Sequence, residues 1–319
     1  MGSSPRWMKR PFFFFLFLSL TQISLSGQLE ERYTYTTQAM GTSWHLIFYC
    51  TDQEKADDIA QRCWSRLDSL NMILSDYEAH SELSRLSASS GSDRWVPVSA
   101  PLWEILSFSD ELAQRSDGAF DITIGPLSKI WRRAIRRKEF PEDHHLATAK
   151  SKVGYEHIAF DQKTQSVRLG KKEMQLDLGG VAKGYAIREL YDMIVASGVH
   201  SVLVDGGGDM MIGDLRLDGS SWDVQIEGSS KKLSLRQEAI ACSGPSYRSI
   251  DFLGQTYSHI VDPQSGLGVQ SPSTHCVIAK DPMVADALAS TMSVLDDIDQ
   301  DILAYYKARL ILVDQSSMD

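Results

Sequence analysis

The chain has 319 residues with ordinary apolar and charged fractions, enough for one large or two small globular domains. Its net charge of -10 argues against a general nucleic-acid binder, because such binding draws on basic side chains to neutralise phosphates. The four cysteines, Cys50, Cys63, Cys242 and Cys276, form no CxxC pair, which argues against a zinc site.

Residues 1–27 read as a targeting segment. Arg6, Lys9 and Arg10 give a positive start, Pro11 to Leu20 an apolar core, and Ser24, Ser26 and Gly27 a small-residue cleavage site. The apolar run is short for a membrane span, so a cleaved secretory signal is the reading and an uncleaved anchor the alternative. No cysteine lies near the cleavage point, so a lipoprotein anchor is not supported. Residues 28–319 show no repeat or composition break and read as one domain. Each cysteine sits among apolar residues, which points to buried free thiols; export would permit a disulfide of unreadable connectivity.

Ser43 to Tyr49 reads as a strand. Asp52 to Leu74 reads as a helix capped by Asp52, with Ile59, Cys63, Trp64, Leu67 and Leu70 at helical spacing. Pro97 to Ser116 is a second helix, started by Ser99 and ended by Gly118. Ala119 to Ile124 reads as short and extended. The polar stretch Arg132 to His145 reads as a surface excursion, its cluster Arg132, Arg133, Arg136, Arg137 and Lys138 as a solvated helix face. Strands are expected near 157–160, 166–169, 174–178, 201–204, 222–226, 239–242, 256–261 and 308–313. Helices are expected over 181–196, closed by Gly198, and over 284–295, the last helix. Strands dominate the second half, with helices packed on them, so the fold class is α+β, with mixed or antiparallel sheets.

Chemistry concentrates in a few runs. In Leu176-Asp-Leu-Gly-Gly-Val-Ala-Lys-Gly-Tyr185 a strand end delivers Asp177, two glycines follow, and a helix opens with Lys183 in its first turn. Free helix N–H groups, a closely approachable backbone and an ammonium suit a phosphorylated ligand. The carboxylate would repel phosphate and points to a metal or a nucleobase-like donor. The same run also suits an ordinary helix start with a solvated lysine. Asp286 and Ser290, four apart, share one helix face and offer oxygen ligands to a hard cation, or simply serve the helix start. His259 lies on the expected 256–261 strand and suits a general base, a phosphate contact or a structural strand histidine; Asp262 before Pro263 suits the turn. Leu203-Val-Asp-Gly-Gly-Gly-Asp-Met210 lacks the dinucleotide-binding fingerprint and suits a bulge and turn, or a close approach to a ligand.

Taken together, residues 38–295 resemble the FAD:protein FMN transferases, the ApbE family. The motifs in order are Ala39-Met-Gly-Thr42, Leu74-Ser-Asp-Tyr77 with Ser81-Glu-Leu-Ser-Arg-Leu86, Asp117-Gly-Ala-Phe-Asp-Ile-Thr-Ile-Gly-Pro-Leu127 and Asp177-Leu-Gly-Gly-Val-Ala-Lys-Gly184. Gly207-Gly-Asp209, Ser243-Gly244, His259-Ile-Val-Asp-Pro263 with Gly266, and Ala285-Asp-Ala-Leu-Ala289 complete the set. The resemblance implies a magnesium-dependent enzyme that splits its substrate FAD. It would join FMN by a phosphodiester to a Ser or Thr of an acceptor protein, releasing AMP. The implied acceptor is a membrane-associated redox subunit, and the implied location is the periplasm, with the inner membrane if the N-terminus anchors. Met40, Ala119, Phe120, Asp121, Asp177, Lys183 and Ile260 would hold FAD. Gly180, through its carbonyl, Asp286 and Ser290 would hold magnesium, and His259 would activate the acceptor hydroxyl beside Lys183. Ser290 stands where the family usually has Thr, Ser87 where it has Asn, and the family's lipid-attachment cysteine is missing. An FAD pyrophosphatase and a non-catalytic FAD carrier are the rival readings.

Overall fold

Strand alternation builds the centre of the molecule. The computed structural model describes residues 1–2, 30–227, 229, 232–244, 249–295 and 298–314. The expected export segment therefore lies, apart from its first two residues, outside the described residues. In chain order the strands are β1 (Glu31–Ala39), β2 (Thr42–Cys50), β3 (Val96–Pro97), β4 (Ile158–Asp161), β5 (Ser166–Leu169), β6 (Val202–Gly206), β7 (Asp209–Ile212), β8 (Trp222–Gln225), β9 (Lys232–Leu235), β10 (Glu238–Ser243), β11 (Ser249–Phe252), β12 (Gln255–Ser258), β13 (Ser273–Ala279) and β14 (Arg309–Asp314). The helices are α1 (Gln53–Leu74), α2 (Glu82–Ala88), α3 (Ala100–Arg115), α4 (Gly125–Arg137), α5 (Asp143–Lys150), α6 (Ala182–Ala196), α7 (Pro282–Val294) and α8 (Gln300–Tyr305). The fold is α+β, as expected.

A seven-stranded sheet runs in the order β1-β2-β6-β7-β10-β13-β14, and every pair in it is antiparallel. Period-two alternation gives it two apolar faces. Trp44, Leu46, Phe48, Val202, Val204, Ala239, Ala241 and Val277 join the core cluster that includes α1, α6 and α7. Leu203, Ile240, Cys276 and Ile278 join a second cluster with Trp222 and Val224 of β8 and Leu235 of β9. Helix α1 shows how sequence makes the packing. Asp52 caps it by accepting the Lys55 N–H at 2.8 Å, and Ala56, Ile59, Ala60, Cys63, Leu67, Leu70 and Leu74 recur on its buried face. A satellite core joins α4, α5 and the β11–β12 hairpin through Leu127, Trp131, Leu146, Tyr257 and Val261.

Several expectations need correction or sharpening. Ala119 to Ile124 is a turn, because the Asp121 carboxylate accepts both the Thr123 N–H and its hydroxyl at 2.7 Å and so competes with any strand ladder. Residues 174–178 make only a single bridge, Gln175 to Ile124, and no strand. Arg132 to His145 does lie largely at the surface, but it contains the end of α4 and the start of α5, pinned by buried Ala134 and by the flanking Trp131 and Leu146. Helix α7 is not the last helix, since α8 follows it. Cys242 and Cys276 are not free thiols. They face each other in the β10–β13 register with Cα atoms 4.1 Å apart and form a disulfide, whereas Cys50 and Cys63 are free and buried. Alkylation of the unfolded, unreduced protein should therefore label two cysteines by intact mass; four labels would remove the bridge.

Candidate active site

Two hairpins at one end of the sheet start the site. Ala39 pairs with Thr42, leaving Met40 and Gly41 as a two-residue turn with φ of 48° and 75°. Such left-handed pairs match the twist of antiparallel strands, and a methionine there is uncommon. Gly206 pairs with Asp209 in the same way, around Gly207 and Gly208. The two tips touch: the Gly207 N–H donates to the Ser43 carbonyl at 3.0 Å, and a Cβ on Gly207 would lie 2.4 Å from the Thr42 hydroxyl. This close approach fixes where Asp209, the first residue of β7, enters the cavity.

Helices α6 and α7 supply the other wall. A Cβ on Gly184 would lie 2.3 Å from the Pro282 carbonyl oxygen and 2.8 Å from the Asp286 Cβ, so the helices meet backbone to backbone there. That contact lets the Gly184 N–H donate to Asp286 at 2.9 Å. Gly180 also lies close to Ser290, whose hydroxyl would be 2.9 Å from a Cβ at position 180, with the Phe120 ring 3.5 Å from that Cβ.

Between these walls Lys183 bonds to Asp209, and its ammonium lies 3.7 Å from Asp286. Asp209 and Asp286 are both buried, each 5% exposed. Burial works against the Lys183 ammonium, but the two carboxylates together raise its pKa above the usual lysine range. Burial pushes the Asp286 carboxyl up to about 6 although Lys183 pulls it down, with Asp209 adding to the rise. One cation thus faces two desolvated carboxylates. Gly180 and Ser290 line the same cavity, so the side-chain donors beside the two carboxylates include a hydroxyl oxygen, a set that fits a hard divalent cation.

The residues singled out from the sequence all line one cavity of about 1330 Å³: Met40, Ala119, Phe120, Asp121, Asp177, Gly180, Lys183, His259, Ile260, Asp286 and Ser290. His259 and Ile260 follow β12, and His259 Nδ1 lies 3.5 Å from the Ser258 hydroxyl. Asp262 builds the turn beyond, accepting the Gln264 and Ser265 N–H groups. Asp121 lines the cavity, yet its oxygens are engaged by Thr123 and by the Tyr155 N–H, so its visible work is to shape the turn that presents Ala119 and Phe120. Burial raises its carboxyl above the ordinary range.

Sequence reasoning missed Asp209 and Arg132. The glycines before Asp209 signalled a turn, but the partner of its carboxylate sits on another element. Arg132 was grouped with a solvated basic face, and the structure corrects this. Its guanidinium binds Asp76 and, at 2.7 Å, Asp177, and lies over the Tyr77 ring, 4.4 Å from the ring centre. Arg133, Arg136, Arg137 and Lys138 do stay exposed.

Comparison with known proteins places this geometry in a family. Residues 40–310 match the model of the ApbE family, and the chain belongs to that family. It is 28% identical over 270 residues to the FAD:protein FMN transferase of Escherichia coli, spanning 81% of this chain and 77% of that protein. Against the FAD:protein FMN transferase of Vibrio cholerae it is 30% identical over 241 residues, spanning 72% and 71%. The apo flavinyl transferase ApbE of Pseudomonas stutzeri superposes with a TM-score of 0.76 at 27% identity, over 86% of this chain and 88% of that one. The ApbE protein of Thermotoga maritima shares the fold, with a TM-score of 0.79 at 24% identity over 90% and 95%.

The α6–α7 contact yields a signed prediction. Alanine is favoured over glycine in an ordinary helix interior by about 1 kcal/mol. Gly184→Ala should instead destabilise by about 1–3 kcal/mol, because its methyl drives the helices apart. The midpoint of urea unfolding checks this, and a higher midpoint would contradict the packing.

Proposed function

We propose that the chain is an exported FAD:protein FMN transferase that uses magnesium. The observation that carries the reading is the convergence of Lys183, Asp209, Asp286, Ser290 and His259 on one cavity, in a chain of the ApbE family. The names of the relatives support FAD as substrate and a protein as acceptor. The Cys242–Cys276 bridge supports an oxidising compartment such as the periplasm. A membrane-associated redox subunit remains the proposed acceptor.

The reaction needs a nucleophile, a leaving group and charge control. FAD joins FMN to AMP through a pyrophosphate. In this reading His259 takes the proton of an acceptor Ser or Thr hydroxyl as its oxygen attacks the FMN-side phosphorus. The phosphodiester to FMN forms as the phosphoanhydride bond breaks, and AMP leaves. Lys183 would set its charge against the pyrophosphate, and its bond to Asp209 restricts its movement. Gly180, Asp286 and Ser290 are the residues that would hold magnesium, which when bound neutralises charge on the phosphoryl oxygens. Met40, Ala119, Phe120 and Ile260 offer mainly apolar wall for the flavin and adenine rings, and Asp177, whose oxygens already hold Arg132 and the Gly179 N–H, shapes the wall beside them.

Incubation with FAD, magnesium and an acceptor domain bearing a flavinylation-type Thr tests the reading by intact mass. An FMN-sized gain on the acceptor with AMP release, abolished by chelator, is expected. FMN and AMP with no modified acceptor would mark a pyrophosphatase, and unchanged bound FAD a carrier. His259→Ala should keep FAD binding while slowing transfer by about 100- to 10,000-fold. Unchanged transfer would remove the base role.

A further inference from the structure

Arg132 ties together three segments that are remote in sequence. It leaves α4 and reaches Asp76, in the turn after α1, and Asp177, in the loop that leads into α6. The contacts are well shielded: the Arg132 side chain is 28% exposed, Asp76 13% and Asp177 6%. All three residues and Tyr77 line the cavity. Asp177 spends its other oxygen on the Gly179 N–H at 2.9 Å, so the residue that Arg132 holds also sets the turn presenting Gly180 and Lys183.

Charge balance adds to this geometry. Two carboxylates stand in the cavity wall against a single guanidinium. Burial, and after it the charge of Asp177, raises the Asp76 carboxyl above its ordinary range, and Arg132 opposes that rise. An incoming dinucleotide brings a dianionic pyrophosphate, which two uncompensated carboxylates would repel. Lysine is a poor substitute, since one ammonium does not reproduce a planar fork that spans two carboxylates.

We propose that Arg132 is a positioning residue for flavin dinucleotide binding: it locks Asp76 and Asp177 into the cavity wall and cancels charge that would otherwise repel the ligand. The inference rests on the FAD reading above.

The test is FAD affinity by fluorescence, with KM and kcat for transfer, in Arg132→Gln, Arg132→Lys and Arg132→Gln combined with Asp76→Asn. Arg132→Gln should weaken FAD binding and raise KM by about 10- to 100-fold, a range reduced for partial exposure, with kcat changed much less. Arg132→Lys should fall between. Adding Asp76→Asn to Arg132→Gln should restore most of the affinity, because it removes the charge that Arg132 had balanced. Wild-type affinity in Arg132→Gln overturns the proposal. So does a loss that Asp76→Asn leaves untouched, since the arginine would then act through packing alone. If the wild-type chain itself binds no FAD, the flavin reading fails first and this inference with it.

Discussion

The site depends on one buried imbalance: a single ammonium, Lys183, set against the carboxylates of Asp209 and Asp286. Removing carboxylates from water costs several kcal/mol each unless they are paired. Lys183 bonds to Asp209 and only approaches Asp286, and burial, with the charge of Asp209 added, holds the Asp286 carboxyl above its ordinary range against the pull of Lys183. A group with positive charge and a preference for oxygen ligands would complete the balance. A second imbalance, Asp76 and Asp177 around Arg132, lies in the same cavity. The cavity wall is thus built from acids held in check by too few bases, which suits a site where a cation and a polyanion arrive together.

The fold exists to hold those groups in register. The β6–β7 hairpin can deliver Asp209 only because Gly207 lets its tip lie against Thr42 of the neighbouring hairpin. Helix α6 can bring Lys183 to Asp286 only because Gly184 leaves room for α7. Behind these contacts, the sheet packs Val202, Val204, Ala239 and Val277 against α6 and α7, so Lys183, Asp209 and Asp286 sit on regular elements rather than on loose loops. The disulfide joins β10 to β13 next to this wall, and the Cys242 N–H donates to Asp209 at 3.2 Å, which ties the carboxylate to the sheet as well as to the lysine.

Local signals were legible in the sequence. Asp52 caps α1 because a short acid before an apolar-periodic run has few better uses, and Gly198 takes the left-handed backbone (φ 82°) just past α6. Every site residue carried over from the motif series lines the cavity, since those motifs were recognised as an ordered set. What escaped was set by tertiary pairing. Asp209 looked like a turn residue because its partner lies 26 residues earlier, on a helix. Arg132 looked solvated because the basic residues that follow it are, whereas the carboxylates it meets come from distant loops. Cys242 and Cys276 looked like two more buried thiols, because the strand register that sets them face to face cannot be read from apolar context. Residues 119–124 had the composition of a strand, but Asp121 diverted the backbone into a turn.

The most direct measurement is divalent-cation binding, separated from turnover. Manganese, as a paramagnetic stand-in for magnesium, can be titrated into the protein with FAD present and followed by electron paramagnetic resonance. A site short of one positive charge should take up manganese in the wild-type chain and lose it in Asp286→Ala. Equal manganese binding by the two proteins would contradict the central role of Asp286 and of the charge deficit around Lys183.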